Sequence, residues 1–169
     1  MNIIKKLIKC NFTKGRGGFK PRAVILHIMA GTLNGTGSWF SNPISQASTH
    51  YGIGKKGEVH QYVEETDMAW HAGTVLKPTW KLLNPKVNPN KETIGIEHEG
   101  QSNDVWTVEM KNASATLLAE ICKRWAIPLD RDHVIGHYQI SAGRRDNCPS
   151  QGRNKNLIIE EIINLAKTK

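Results

Sequence analysis

The sequence predicts a single α/β domain in which helices cover one face of a sheet and leave the other partly open. Three observations carry this expectation. Two runs, "RAVILHIMAG" (residues 22–31) and "ETIGIEHEG" (92–100), alternate in the way of half-buried strands. Two others, "LLAEICKRW" (117–125) and "NLIIEEIINLAK" (156–167), repeat apolar residues at helical spacing. A length of 169 residues suits one ordinary domain with its own hydrophobic core.

Taken in order, the first 21 residues form a basic arm. Ile3, Ile4, Leu7 and Ile8 there fit one side of a short amphipathic helix or an extended strand. In the first strand Val24, Leu26 and Ile28 share one face, and Ile25, His27 and Met29 the other. "GTLNGTGSWFSNP" is loop-like with a short helix around Trp39 and Phe40, and "ASTHYGIGKKGEVHQYV" is a hairpin closed through Lys55, Lys56 and Gly57. Pro78, Pro85 and Pro89 make the stretch from "DMAWHAG" to "NPKVNPN" irregular. In the strand that follows, Ile94, Ile96 and His98 face one way and Gly95, Glu97 and Glu99 the other, and Gly95 leaves room for a ligand beside Glu97. The next helix is capped by Thr107, with Glu109 in its first turn; "HVIGH" is a short strand or turn.

Composition narrows the function. No apolar run approaches the roughly 20 residues of a membrane span, and "MNIIKKLIKC" lacks the apolar core and cleavage site of a secretory signal. Synthesis in the cytoplasm without a signal peptide is therefore expected. Cys10, Cys122 and Cys148 have no regular spacing, which argues against a disulfide framework; Cys122 lies on a helix's apolar stripe. The net charge of +8 is gathered at the front. No acidic residue precedes Glu58, while Lys5, Lys6, Lys9, Lys14, Arg16, Lys20, Arg22, Lys55 and Lys56 do. Such an excess favours a polyanion, but the chain has no nucleic-acid motif and no stacking aromatics among its cations, so no nucleic-acid partner is expected.

Of the seven histidines, His27, His50, His71 and His137 sit where a strand ends or a loop begins. A lone histidine on an apolar face is ordinarily a core residue. His27 combined with His137 and Cys148 is different, because a catalytic zinc takes three N, S or O donors and keeps one position open. Thiolate and imidazole select zinc over magnesium or calcium.

"VILHIMAG", "STHYGIGKKGEVHQYV", "DMAWHAG", "TIGIEHEG" and "GHYQISAGRRDNCPS", in that order, resemble the landmarks of the type 2 N-acetylmuramoyl-L-alanine amidases, the group of phage amidase endolysins and recycling amidases related to peptidoglycan recognition proteins. The resemblance runs from about Arg22 to Ser150. It implies a catalytic domain over residues 22–169, with a central mixed sheet flanked by helices and one zinc per chain in an open groove. The activity implied is hydrolysis of the amide between muramic acid and L-alanine. It further implies His27, His137 and Cys148 as ligands, Glu97 as general base assisted by His50, and Trp70, His71 and Arg144 as substrate contacts. His133 is a rival to His137, and Asp146 to Cys148.

The sequence also departs from that pattern. Asp146 stands where relatives usually carry an oxyanion lysine, which makes Arg145 the expected replacement; Thr49 stands where a tyrosine often precedes the hairpin histidine, and "CPS" replaces "CPG". A phage-type endolysin acting as a monomer on peptidoglycan is the expected role, with the basic arm drawn to anionic wall polymers, since the chain ends about 20 residues after Cys148 without a separate wall-binding domain. The alternatives are a cytosolic muropeptide-recycling amidase and a binding module that has lost catalysis.

Overall fold

The structure is a computed structural model describing residues 1–169. Eight strands and three α-helices follow one another along the chain: β1 (Ile4–Lys5), β2 (Phe12–Thr13), β3 (Ala23–Ile28), α1 (Leu33–Phe40), β4 (Tyr51–Ile53), β5 (Val59–Gln61), β6 (Met68–Ala69), β7 (Thr93–His98), α2 (Val108–Trp125), β8 (Val134–Gly136) and α3 (Asn154–Ala166). Six strands form one mixed sheet in the order β1-β5-β4-β7-β3-β8, and β2 pairs with β6 apart from it. β4, β7, β3 and β8 run parallel, while the hairpin pair β4–β5 is antiparallel. No helix is long and apolar enough to cross a membrane.

Alternation decides what each face buries. Val24 and Leu26 of β3 and Ile94 and Ile96 of β7 enter the main core with Leu117, Leu118 and Ile121 of α2 and Ile159, Ile162 and Ile163 of α3. Cys122 joins this core as a buried free thiol, as its place on the stripe predicts. His98 points the same way, donating from Nδ1 to the His27 carbonyl at 2.9 Å and accepting at Nε2 from Ser114 of α2, also at 2.9 Å. Thr107 caps α2 by accepting from Met110 N–H, with Glu109 in the first turn. Both long helices thus cover one face. On the other, Ala23 and Ile25 pack with Ala72, Trp80, Ile135 and Ile140, and the upper part of the face stays open.

The expected basic arm is not an arm. β1 continues the main sheet beside β5, and β2 pairs with β6. Asn11 is buried, its amide donating to the carbonyls of Phe40 and Asn42. Arg16 is buried too, donating to the carbonyls of Glu65, Asn90, Lys91 and Thr93 at 2.7–3.1 Å. Lys5 pairs with Glu64, Lys14 with Asp67 and Arg22 with Glu92. A boundary at residue 21 therefore cuts through the fold, because strand pairing and the buried Asn11 and Arg16 tie the segment to residues far along the chain.

Candidate active site

Three neighbouring parallel strands, β7, β3 and β8, end at one edge of the sheet, and the carboxyl edge of parallel strands is where α/β proteins commonly place ligands. His27 stands near the end of β3, in register with Glu97 on β7. His137 opens a single 3-10 turn directly after β8, the other neighbour of β3. Cys148 enters from the loop before α3. Its N–H donates to the Arg145 carbonyl, its carbonyl accepts from Tyr138 N–H, and its Sγ accepts from Ile28 N–H at 3.4 Å.

The ligating atoms of His27, His137 and Cys148 all lie within 4.8 Å of one another, and all three residues are buried. His27 Nδ1 is 3.0 Å from His137 Nδ1 and 3.9 Å from Cys148 Sγ. Burial first, and then the neighbouring imidazoles, hold His27 well below its usual pKa; burial chiefly lowers His137 to about 4. Both rings are thus neutral near pH 7, with nitrogen facing nitrogen. Burial and then the Glu97 carboxyl push the Cys148 thiol up, and a bound cation is what reverses that sign and yields thiolate. Two neutral imidazoles and a thiol converging on one point form a candidate metal site whose donors are those of zinc.

Beside this cluster lies a groove of about 380 Å³, lined among others by Glu97, His71, Trp70, Trp39 and Arg145. Glu97 Oε2 has no hydrogen-bond partner, and burial raises the carboxyl to about 8, opposed only by Arg145. A carboxyl so placed can hold or release a proton near neutrality. The Arg145 charge also bears on His27, His137 and Cys148, so it is the cation that faces the site. Arg144 does not line this groove. It lies in an adjoining recess with Gln101, Ser102 and Asn147, and the two spaces meet at Arg145 and Cys148.

Several expectations are revised here. His50 is fully buried and does not reach the groove: Gly95 N–H donates to its Nδ1, and Arg16 and the Asp67 carbonyl flank its Nε2. With both ring nitrogens engaged below the site, His50 is a structural residue and not a partner of Glu97. The space beside Gly95 is filled by protein, since a Cβ there would lie 2.6 Å from His71 Cγ and 2.8 Å from Thr49 Oγ1. His71 itself is buried against the candidate ligands, with Nδ1 3.1 Å from His27 Nε2. The rivals are set aside by their contacts: His133 pairs with Asp130 at 2.7 Å, and Asp146 accepts from Gly143 N–H in its own loop.

Trp70 lines the groove, its Nε1 donating to Thr13 Oγ1 at 3.0 Å, so the N-terminal segment anchors this wall. Sequence reasoning missed Trp39, which is 52% exposed on α1 and lines the same groove. An indole off the buried Leu33–Thr36–Phe40 face of a short glycine-rich helix was the available signal.

Residues 17–151 match the family described as N-acetylmuramoyl-L-alanine amidase. N-acetylmuramoyl-L-alanine amidase A of Achromobacter lyticus is 44% identical over 105 residues, 60% of this chain and 51% of that protein. The 1,6-anhydro-N-acetylmuramyl-L-alanine amidase AmpD of Haemophilus influenzae is 29% identical over 59% of this chain and 50% of its own. The chain thus spans about half the length of these relatives. A mutant endolysin from Bacillus subtilis superposes with a TM-score of 0.72 at 20% identity, covering 98% of this chain and 99% of that one, a likeness of fold. With a family match across most of its length and that family's fold, the chain belongs to the N-acetylmuramoyl-L-alanine amidases.

Proposed function

We propose that the protein is a zinc-dependent peptidoglycan amidase that hydrolyses the bond between N-acetylmuramic acid and L-alanine. The observation that carries this reading is the convergence of His27 Nδ1, His137 Nδ1 and Cys148 Sγ beside a groove that also holds an unpartnered Glu97 carboxyl. In this reading the three residues hold one zinc, which supplies Lewis acidity toward the scissile carbonyl and acidifies water. Glu97 accepts the proton of the attacking water and delivers it to the leaving alanine nitrogen, work suited to a carboxyl whose pKa lies near the working pH. Arg145 takes the oxyanion position that Asp146 leaves without a cation, and its charge favours the developing negative oxygen. Trp70 and the exposed Trp39 offer indole surfaces to sugar or peptide. Arg144, in the adjoining recess, pairs with a stem-peptide carboxylate.

Digestion of purified peptidoglycan tests the reaction. Release of new alanine amino termini without new reducing sugar ends is the expected result, and new reducing ends would refute it. Glu97→Gln keeps zinc and fold but lowers turnover by a factor on the order of 10² or more. A lytic, phage-type role on intact walls is proposed over recycling of soluble fragments on the strength of the +8 net charge, which favours anionic wall polymers.

A further inference from the structure

The hydrogen bonds outside the donor cluster determine which nitrogen of each imidazole faces inward. Thr93 Oγ1 donates to the Pro89 carbonyl at 2.8 Å, so toward His71 Nε2, 3.3 Å away, it acts only as acceptor. His71 Nε2 therefore carries the ring's proton, and Nδ1 presents a lone pair to His27 Nε2 at 3.1 Å. His27 must donate from Nε2, which leaves its Nδ1 bare. His137 reaches the same state by another route, donating from Nε2 to the Ala72 carbonyl at 2.9 Å. Two bare Nδ1 atoms then face each other across 3.0 Å, an arrangement that repels unless a cation lies between them.

Both outer partners come from consecutive residues of one loop, and that loop is itself held. The N–H groups of His71 and Ala72 both donate to Asn90 Oδ1, at 3.1 and 2.8 Å, and Asn90 is buried. Gly95 provides the space in which the His71 ring stands. We infer that residues 71–72, held by Asn90, are a clamp that fixes the tautomer and orientation of both imidazole ligands, with His71 the positioning residue for His27. This rests on the reading of His27, His137 and Cys148 as zinc ligands, and it assigns His71 to the metal site in place of the substrate wall. Hydrogen-bonded partners of this kind raise ligand basicity and commonly change metal affinity by about 10–100-fold.

Zinc affinity measured by chelator competition, together with NMR of the imidazole N–H protons in the zinc-loaded protein, tests the clamp. His71→Ala is expected to weaken zinc by about 10–100-fold and to expose the His27 Nε2–H to rapid solvent exchange, while the His137 Nε2–H stays protected. His71→Asn, whose Oδ1 stands in for Nδ1, restores most of the affinity and the His27 signal; Asn90→Ala disturbs both signals. Wild-type zinc affinity in His71→Ala with a raised KM alone would overturn the clamp and return His71 to the substrate wall. Should His71→Ala fail to fold, His71→Gln replaces it, since its longer chain cannot place an oxygen at the Nδ1 position, and equal affinity in the Asn and Gln variants overturns the proposal. Failure of the wild-type protein to bind zinc would remove the ligand reading itself and the clamp with it.

Discussion

A Cβ at Gly136 would lie 2.5 Å from Tyr138 Cε1 and 2.8 Å from Pro149 Cδ, so the glycine before His137 is required by close packing. It lets the loop carrying Cys148 approach the end of β8. The same packing makes Cys148 hard to replace: its Sγ is buried, accepts from Ile28 N–H, and neighbours two neutral imidazoles. Cys148→Ser is expected to lower zinc content from about one per chain to a small fraction, because a neutral hydroxyl ligates zinc far less well than thiolate. Metal analysis after dialysis checks this, and full occupancy in the variant would exclude Cys148 as a ligand. The convergence of His27, His137 and Cys148 was legible from residue type together with motif order. The partners of His71 were not, since a side chain's hydrogen bonds depend on residues such as Thr93 and Asn90 that only the folded loops bring near.

At the scale of elements, strict alternation made β3 and β7 readable. It put Ile94, Ile96 and His98 toward the helices and Glu97 toward the groove, as observed. Helical spacing did the same for α2 and α3. β1 and β2 escaped because each is two residues long and pairs with a strand more than fifty positions away, leaving no local pattern to detect. Their charge pointed instead to a free arm. Deleting residues 1–20 is therefore expected to unfold or severely destabilise the protein, since it removes β1, the buried Asn11 amide and the Arg16 guanidinium with its four carbonyl contacts. Activity on small soluble muropeptides falls along with activity on walls. A truncated protein that keeps its melting temperature and its turnover of soluble substrate would show that the segment is dispensable.

For the whole molecule, burying Arg16 and holding Lys5, Lys14 and Arg22 in ion pairs at the surface places the N-terminal charge on the folded domain. Attraction to a polyanion then comes from the field of a +8 particle. Binding to intact walls is expected to weaken steeply as salt rises through the range where screening shortens to about 8 Å, while turnover of a small neutral muropeptide changes little. Sedimentation of wall fragments with the protein across a salt series measures it, and salt-independent binding would remove the electrostatic account.

The two candidate imidazole ligands are separated by 110 residues of chain and the cysteine by 121 from the first of them, yet their ring and sulfur atoms nearly touch. During translation, a ribosome that has made β3 and even β7 has made only one member of the donor set. The set is complete only after Cys148 has emerged and β8 has docked against β3. On the proposed reading, a chain interrupted before Cys148 lacks its third donor, so the zinc site forms only once segments more than a hundred residues apart have folded together.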